Sequence, residues 1–416
     1  MLAPITQACT QKHPVQSCEV ADIFRVHGSD YQASYPTPLA HRRVISAIIR
    51  CRTEFQGGHI ERCDRCGYER PFYNSCRNRH CPKCQTMAKA KWLEARIEEL
   101  IPVEYFHTVF TLPHDINPIA QCNKKEIYSI LFKSVSETLA EFGHNPRNSL
   151  GGKMGFILIL HTWSQVLMDH YHLHCVIPAG ALSFDRERWI ASRRHFLFPV
   201  RALSRVFRGK FIDYLERSYR SSELSFPGSS VHLGMPSGFK KLIRKLKEQE
   251  WVVYSKKPFA GPEQVLDYLG RYTHRVAISN HRIIAMHDGK VMFHYQDRKD
   301  RNTRKIMTLD AVEFIRRFLL HVLPDGFMRI RHYGFLANRS KKQDLNKIRS
   351  LLNCTSQSSS PADKSTQELM LQLTGIDITQ CPSCRKGTMK RISEIPFHAM
   401  GVTKAGPDQT LSLNSP

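Results

Sequence analysis

Between residues 102 and 345 the apolar positions switch repeatedly between a period of two and a period near 3.6, the signature of mixed strands and helices. "YFHTVFTLP" (105–113) is rich in β-branched and aromatic residues and predicts a strand. "GFILILHTW" (155–163) predicts a buried strand, and "HYHLHCVIPAGALS" (170–183) a strand closed by Pro and Gly. "NKKEIYSILFKSVSETLAEFG" (123–143) predicts a helix, with Asn123 as cap, Glu126 at the capping-box spacing and Gly143 at its end. Helices are also expected over about 199–219 and, strongly basic, over about 238–249, with a short strand "WVVYS" after them. "GPEQVLDYLGRYTH" (261–274) predicts a helix whose first turn holds Pro262 and Glu263. "HRIIAMHDGKVMFHYQD" predicts a hairpin turning at Asp288-Gly289, and "LDAVEFIRRFLLHVL" a helix.

Upstream, "LAHRRVISAIIRCRTEF" (39–55) and "TMAKAKWLEARIEEL" (86–100) predict helices on either side of a cysteine-rich block. The expected organisation is a tail (1–20), a helical and cysteine-rich domain (21–100), a second domain of mixed strands and helices (102–345), and a Ser-rich linker with a tail carrying a Cys-x-x-Cys (346–416). The fold class is α+β.

Charge narrows the partner. The chain has 61 Lys and Arg against 37 Asp and Glu, a net charge of +24. So large an excess in 416 residues predicts an anionic partner, nucleic acid before a membrane surface. No apolar run approaches the roughly 20 residues that span a bilayer. The first residues, "MLAPITQACTQKHPV", lack the pattern of a signal peptide, so the expected location is the cytoplasm, with the nucleoid.

Thirteen cysteines in a cytosolic chain point to metal rather than disulfides. Cys63-x-x-Cys66 and Cys81-x-x-Cys84 are separated by residues 67–80. Two such knuckles supply the four thiolates of a closed tetrahedral Zn²⁺ site, structural rather than catalytic; the alternative is a set of buried thiols. Arg77 and Arg79, within this block, suit phosphate contact. Cys76, His80, His59 and Cys51 are candidates for exchange or a second ion. Cys381-x-x-Cys384 is half a site, its partner Cys354, His398 or another chain.

The quieter candidates are histidines and tyrosines. On a strand His172 and His174 share a face, with His170 at the strand start. Two imidazoles so placed can hold a divalent ion; taken alone, the pattern fits the polar face of an edge strand better. Tyr268 and Tyr272 are i and i+4 on the expected helix, beside Arg271 and Arg275. A tyrosine hydroxyl, with pKa about 10, attacks a phosphodiester only if a metal polarises the phosphate and cations offset the developing charge. No Walker-type phosphate loop is present.

His-hydrophobic-His followed by Tyr-x-x-x-Tyr resembles the HUH endonuclease superfamily. Within it the chain resembles the rolling-circle transposases of the insertion sequence 91 family, through "CRTEFQGGHIERCDRCGYERPFYNSCRNRHCPKCQ", "HTVFTLPH", "LHTWSQVLMDHYHLHCVIPAGALS", "YLGRYTHRVAISNHR" and "HYGFLANRS", which together span about residues 20–385. Tyr171 departs from that family's pattern, which favours Pro between the first two histidines. The resemblance implies an HUH-type antiparallel sheet flanked by helices. His172 and His174 would bind Mg²⁺ or Mn²⁺, and Tyr268 and Tyr272 would be nucleophiles that nick single-stranded DNA at transposon termini and target through 5′-phosphotyrosine. Tyr268 is the preferred first nucleophile. A third metal ligand would be Gln165, His161 or Gln264. A homo-oligomer is compatible with this reading.

Basic segments ("RRHFLFPVRALSRVFRGK", "KKLIRKLK", "DRKDRNTRK", "RIRHYGFLANRSKK") interleaved with Trp163, Phe196, Tyr295 and Tyr333 suit a single strand. The competing functions are a replication initiator or relaxase with the same chemistry, a non-catalytic zinc-ribbon regulator, and a zinc hydrolase using His170, His172 and His174.

Overall fold

The computed structural model describes residues 18–97, 99–148, 150–259, 264, 270, 277–297, 300–354 and 365–397. The chain divides into two compact units, residues 1–49 with 78–365, and residues 50–77 with 366–416. The continuous blocks 21–100 and 102–345 expected from the sequence do not coincide with these units, because the hairpin after Cys51 joins the C-terminal segment.

In chain order the first elements are α1 (Val20–Ser34), α2 (Leu39–Arg50), β1 (Gly58–Cys63), β2 (Glu69–Tyr73), α3 (Pro82–Ile97) and β3 (Tyr105–Thr111). Then come α4 (Asn117–Cys122), α5 (Lys124–His144), β4 (Gly155–Trp163), β5 (Asp169–Pro178), β6 (Gly180–Leu182) and β7 (Trp189–Ala191). They are followed by α6 (Val200–Arg220), α7 (Val231–Gly234), α8 (Pro236–Glu248), β8 (Val253–Phe259), β9 (Ile283–His287), β10 (Lys290–Asp297) and β11 (Thr303–Asp310). The last are α9 (Ala311–Leu320), β12 (Ile330–Gly334), α10 (Lys341–Leu351), α11 (Thr366–Thr374) and β13 (Met389–Ile395).

The larger unit is built on a five-stranded antiparallel sheet, order β12-β4-β5-β3-β8, with β5 in the centre. Strict alternation sorts its residues. Tyr171, Leu173, Cys175 and Ile177 of β5, with Leu158 and Leu160 of β4 and Phe106 and Phe110 of β3, face a core closed by α5, α6 and α8. Phe110 meets Phe207 edge-on at 5.2 Å, and Phe207 meets Trp251 at 5.2 Å. Each such buried aromatic contributes about 1.5–3 kcal/mol over its exposed state. The opposite face is apolar at one end only, where Ile157, Ile159 and Val176 pack with Phe335, Leu345 and Ile348. Its other end carries histidines.

Several local expectations hold. The strands at 105–113 and 155–163 and the hairpin at Asp288-Gly289 form; both turn residues are left-handed, with φ 48° and 68°. Others change. Asn123 is the N-cap of α5, yet its side chain donates to the Ile119 and Ser225 carbonyls instead of accepting from the helix. Glu126 accepts from Ser218 at 2.6 Å rather than closing a capping box. The demands of packing α5 on α6 override the local motif. Gly143 lies inside the helix, which runs to His144. The helix α1 and the strands β1, β2 and β13 were not legible from periodicity.

Gly334 ends β12 with φ +62°, and a Cβ there would stand 1.5 Å from the Met154 carbonyl oxygen. Gly334→Ala is expected to destabilise the protein by at least about 1–3 kcal/mol, the backbone strain alone. A urea midpoint unchanged from wild type would contradict this.

Among the described residues, no helix is long and apolar enough to cross a membrane.

Candidate functional site

His172 and His174 sit at successive positions on the histidine face of β5 and are both buried. Antiparallel register places His161 of β4 directly opposite His172. The ligand atoms of His161, His172 and His174 all lie within 4.8 Å of one another. His172 Nε2 and His174 Nε2 are 3.1 Å apart. That separation matches two imidazoles bound to one ion at about 2.0–2.1 Å. His172 Nδ1–H donates to the His170 carbonyl at 2.7 Å, which leaves its Nε2 bare to act as a ligand.

His174 Nδ1 is 2.9 Å from His107 Nε2 on β3. His107 is buried, and its burial pushes the imidazole down to about 3, with Lys256 adding to the effect, so the ring stays neutral. A neutral His107 can accept the Nδ1–H of His174, which turns the Nε2 lone pair of His174 toward the shared point. His107 is not legible as a site residue in the sequence. Its only signal was a lone imidazole in the alternating run His107, Val109, Thr111.

His170 is half-buried, its ring tilted against that of His172 at 4.6 Å, and it lies outside the three-histidine group. The third member is His161, one of the three ligand candidates. Gln165 lies in the turn between β4 and β5, its carbonyl accepting from Arg282. Gln264 is helical and exposed. Tyr268, Tyr272, Arg271 and Arg275 lie outside the described residues. Tyr171, the departure between the histidines, points to the opposite face, where its hydroxyl donates to buried Asp169 at 2.8 Å. A bulky residue there serves the core and leaves the histidine face untouched.

His172 and His174, with His107 and His170, line a cleft of about 910 Å³ that is bordered also by Thr111, His114, Tyr254, Lys256, Gln296 and Asn302. Tyr254 is exposed, so an aromatic ring and a lysine border the site.

Two family models match this chain. One described as "Putative transposase" matches residues 155–344, and one described as "Transposase zinc-binding domain" matches residues 23–112. The chain is 49% identical over 374 residues to "Putative transposase y4qJ" of Sinorhizobium fredii, covering 89% of this chain and 94% of the relative. The chain belongs to the insertion sequence 91 family of transposases. The "Transposase for insertion sequence element IS801" of Pseudomonas savastanoi pv. phaseolicola is 27% identical over 307 residues, 73% of this chain and 72% of that one. No solved structure matches.

As a member of that family, the transposase acts on DNA and carries a zinc-binding domain. In the smaller unit Cys63 and Cys66 stand with Cys381 and Cys384, their sulfurs within 4.8 Å of one another. The expected four-ligand set Cys63, Cys66, Cys81 and Cys84 is therefore revised: Cys63 and Cys66 find their partners in the C-terminal segment, 315–321 residues away. Backbone N–H groups of Lys386 and Gly387 pull the Cys384 thiol down to about 6, favouring the thiolate that binds metal. Cys51 and Cys76 of the same unit, and Cys81 and Cys84 of the larger one, also hold their sulfurs within 4.8 Å, pair by pair.

Arg77 belongs to the smaller unit. Arg79 donates to the Phe327 carbonyl at 2.8 Å, so part of its guanidinium is engaged in the fold. Of the aromatics expected to stack on a strand, Phe196 is exposed, whereas Trp163 stacks on His161 at 4.8 Å and Tyr333 stacks on buried Phe156 at 5.3 Å.

Proposed function

We propose that this transposase nicks and rejoins single-stranded DNA at element ends by HUH-type chemistry of the rolling-circle kind. The observation that carries the reading is the convergence of buried His161, His172 and His174 beside an open cleft in a strongly basic protein. Three imidazoles from two adjacent strands, one of them oriented by His107, make a donor set for a divalent ion, Mg²⁺ or Mn²⁺. Bound there, the ion would polarise the scissile phosphate.

The chain's residues do the rest. His172, with its Nδ1–H spent on the His170 carbonyl, and His174, with its Nδ1–H on His107, present Nε2 atoms to one point. Lys256 and Tyr254 border the route of the strand. Tyr268 or Tyr272 supplies the nucleophile. Its oxygen bonds to phosphorus and loses its proton, while the P–O3′ bond breaks and the departing 3′ oxygen gains one. The phosphate ester to tyrosine keeps the bond energy for rejoining, and a second tyrosine allows a second strand to be cut before the first is released. A zinc-ribbon regulator without chemistry would leave the three-histidine cluster without a role.

The test uses end-labelled single-stranded DNA from the element's own termini. In Mg²⁺ or Mn²⁺ a covalent protein–DNA adduct is expected, absent with EDTA and absent when Tyr268→Phe and Tyr272→Phe are combined. An adduct that survives the double change would overturn the tyrosine assignment, and one that forms in EDTA would overturn the metal role.

A further inference from the structure

The family match to a zinc-binding domain ends at residue 112, yet the smaller unit is completed by residues from the other end of the chain. Its sheet has the order β13-β1-β2, so the C-terminal strand pairs with β1 along Gly58–Cys63. This pairing sets two knuckles face to face. Cys63 Sγ lies 3.7 Å from Cys384 Sγ, and Cys66 Sγ lies 3.7 Å from Cys381 Sγ. Those separations exceed the roughly 2.05 Å of a disulfide, and they equal the edge of a tetrahedron of sulfurs around an ion at about 2.3 Å.

The two knuckles are built alike. The Gly67 N–H donates to the Cys63 carbonyl, and the Arg385 N–H donates to the Cys381 carbonyl, each four residues on. The first cysteine of each is held by a hairpin bond, Cys63 N–H to the Tyr68 carbonyl and Cys381 N–H to the Gly387 carbonyl. Each knuckle also aims a backbone N–H at sulfur: Arg65 at Cys63, and Gly387 at Cys384, both 3.4 Å. Backbone donors to sulfur stabilise thiolate, the form that binds metal. At Gly387 a Cβ would lie 2.4 Å from Cys63 Sγ, so the close approach of the knuckles requires glycine there.

We propose that Cys63, Cys66, Cys381 and Cys384 bind one structural Zn²⁺, forming a zinc ribbon whose halves come from opposite ends of the chain. Each thiol gives up its proton as it ligates. No open position remains, so the ion holds structure and does no chemistry. The ribbon is complete only when the segment after residue 365 is present, and the ion ties that segment to β1.

The test measures zinc per chain in the full-length protein. Cys63→Ser with Cys66→Ser should remove one ion. Cys381→Ser with Cys384→Ser should also remove one. All four changes together should still remove only one, because both pairs serve the same ion. Unchanged zinc after the C-terminal pair is replaced would overturn the proposal, as would loss of two ions in the combined variant. Recovery of these cysteines as disulfides from protein purified without oxidation would overturn it as well. Cys384→His guards against simple misfolding: it should keep the ion, and after cobalt substitution its spectrum should shift from four sulfurs toward three sulfurs and one nitrogen. A cobalt spectrum identical to wild type would exclude Cys384 as a ligand.

Discussion

His174→Ala is expected to lower metal-dependent nicking by roughly 1000-fold, about 4 kcal/mol of transition-state stabilisation. The substitution removes one of the two Nε2 atoms that stand 3.1 Å apart, and with it half of the strand-borne donor pair. It also removes the 2.9 Å contact between His174 and His107 Nε2. His107→Phe separates the two effects. It keeps His174 in place but removes the acceptor that orients it, so it should weaken activity about 10–100-fold, the usual scale for a residue that positions a ligand. Much of that loss should be recovered at high metal concentration, because the ligand atom itself is still present. His161→Ala should resemble His174→Ala more than His107→Phe. Circular dichroism checks that each variant folds. A His174→Ala protein nicking within tenfold of wild type would remove the histidine cluster from the mechanism.

Stability is expected to fall as pH drops from 6.5 to 5, the slope from two histidines alone steepening toward a limit of about 2.7 kcal/mol per pH unit. His321 is buried between Thr162 and the Leu167 carbonyl, and burial holds it at about 4. His80 is held at about 3 by burial and by Arg329 and Arg79. Both rings are neutral in the folded state across this window, while in the unfolded chain they take up protons below about 6.5. Unfolding therefore binds up to two protons, so stability rises with pH through the window and is lost as pH falls toward the folded values. His41 and His332, each lowered to about 4 chiefly by burial, act in the same direction. Carboxylates titrate lower and contribute little above pH 5. Urea midpoints at pH 7, 6 and 5 measure the slope, and His321→Asn should lessen it by about half of the two-histidine value. A flat profile over this range would show that these rings reach water in the folded state.

What was legible in the chain depended on distance along it. The strands around His172 and His161 were read correctly because alternation is a property of neighbours. The Asp288-Gly289 turn was legible because its left-handed backbone selects those residue types. The cap at Asn123 was located but misassigned in role, since its side chain is drawn to Ser225, about a hundred residues on. Each Cys-x-x-Cys is legible as a knuckle, but the expected grouping of Cys63 and Cys66 with Cys81 and Cys84 is not the one the fold brings together. Cys-x-x-Cys says that half a site is present; it carries no address for the other half. The partner of Cys63 and Cys66 was set by the pairing of β1 with β13.

By itself, then, the sequence determined the strong positive charge, the mixed helix and strand composition, the shared face of His172 and His174, and the existence of cysteine knuckles. Each follows from composition or from periods of two to four residues. Only the tertiary structure decided that His161 faces His172, that His107 meets His174, and that β13 brings Cys381 and Cys384 beside Cys63 and Cys66. Those depend on strand order and register, which are settled by which apolar faces find one another across long separations. Nothing in a local pattern encodes that choice.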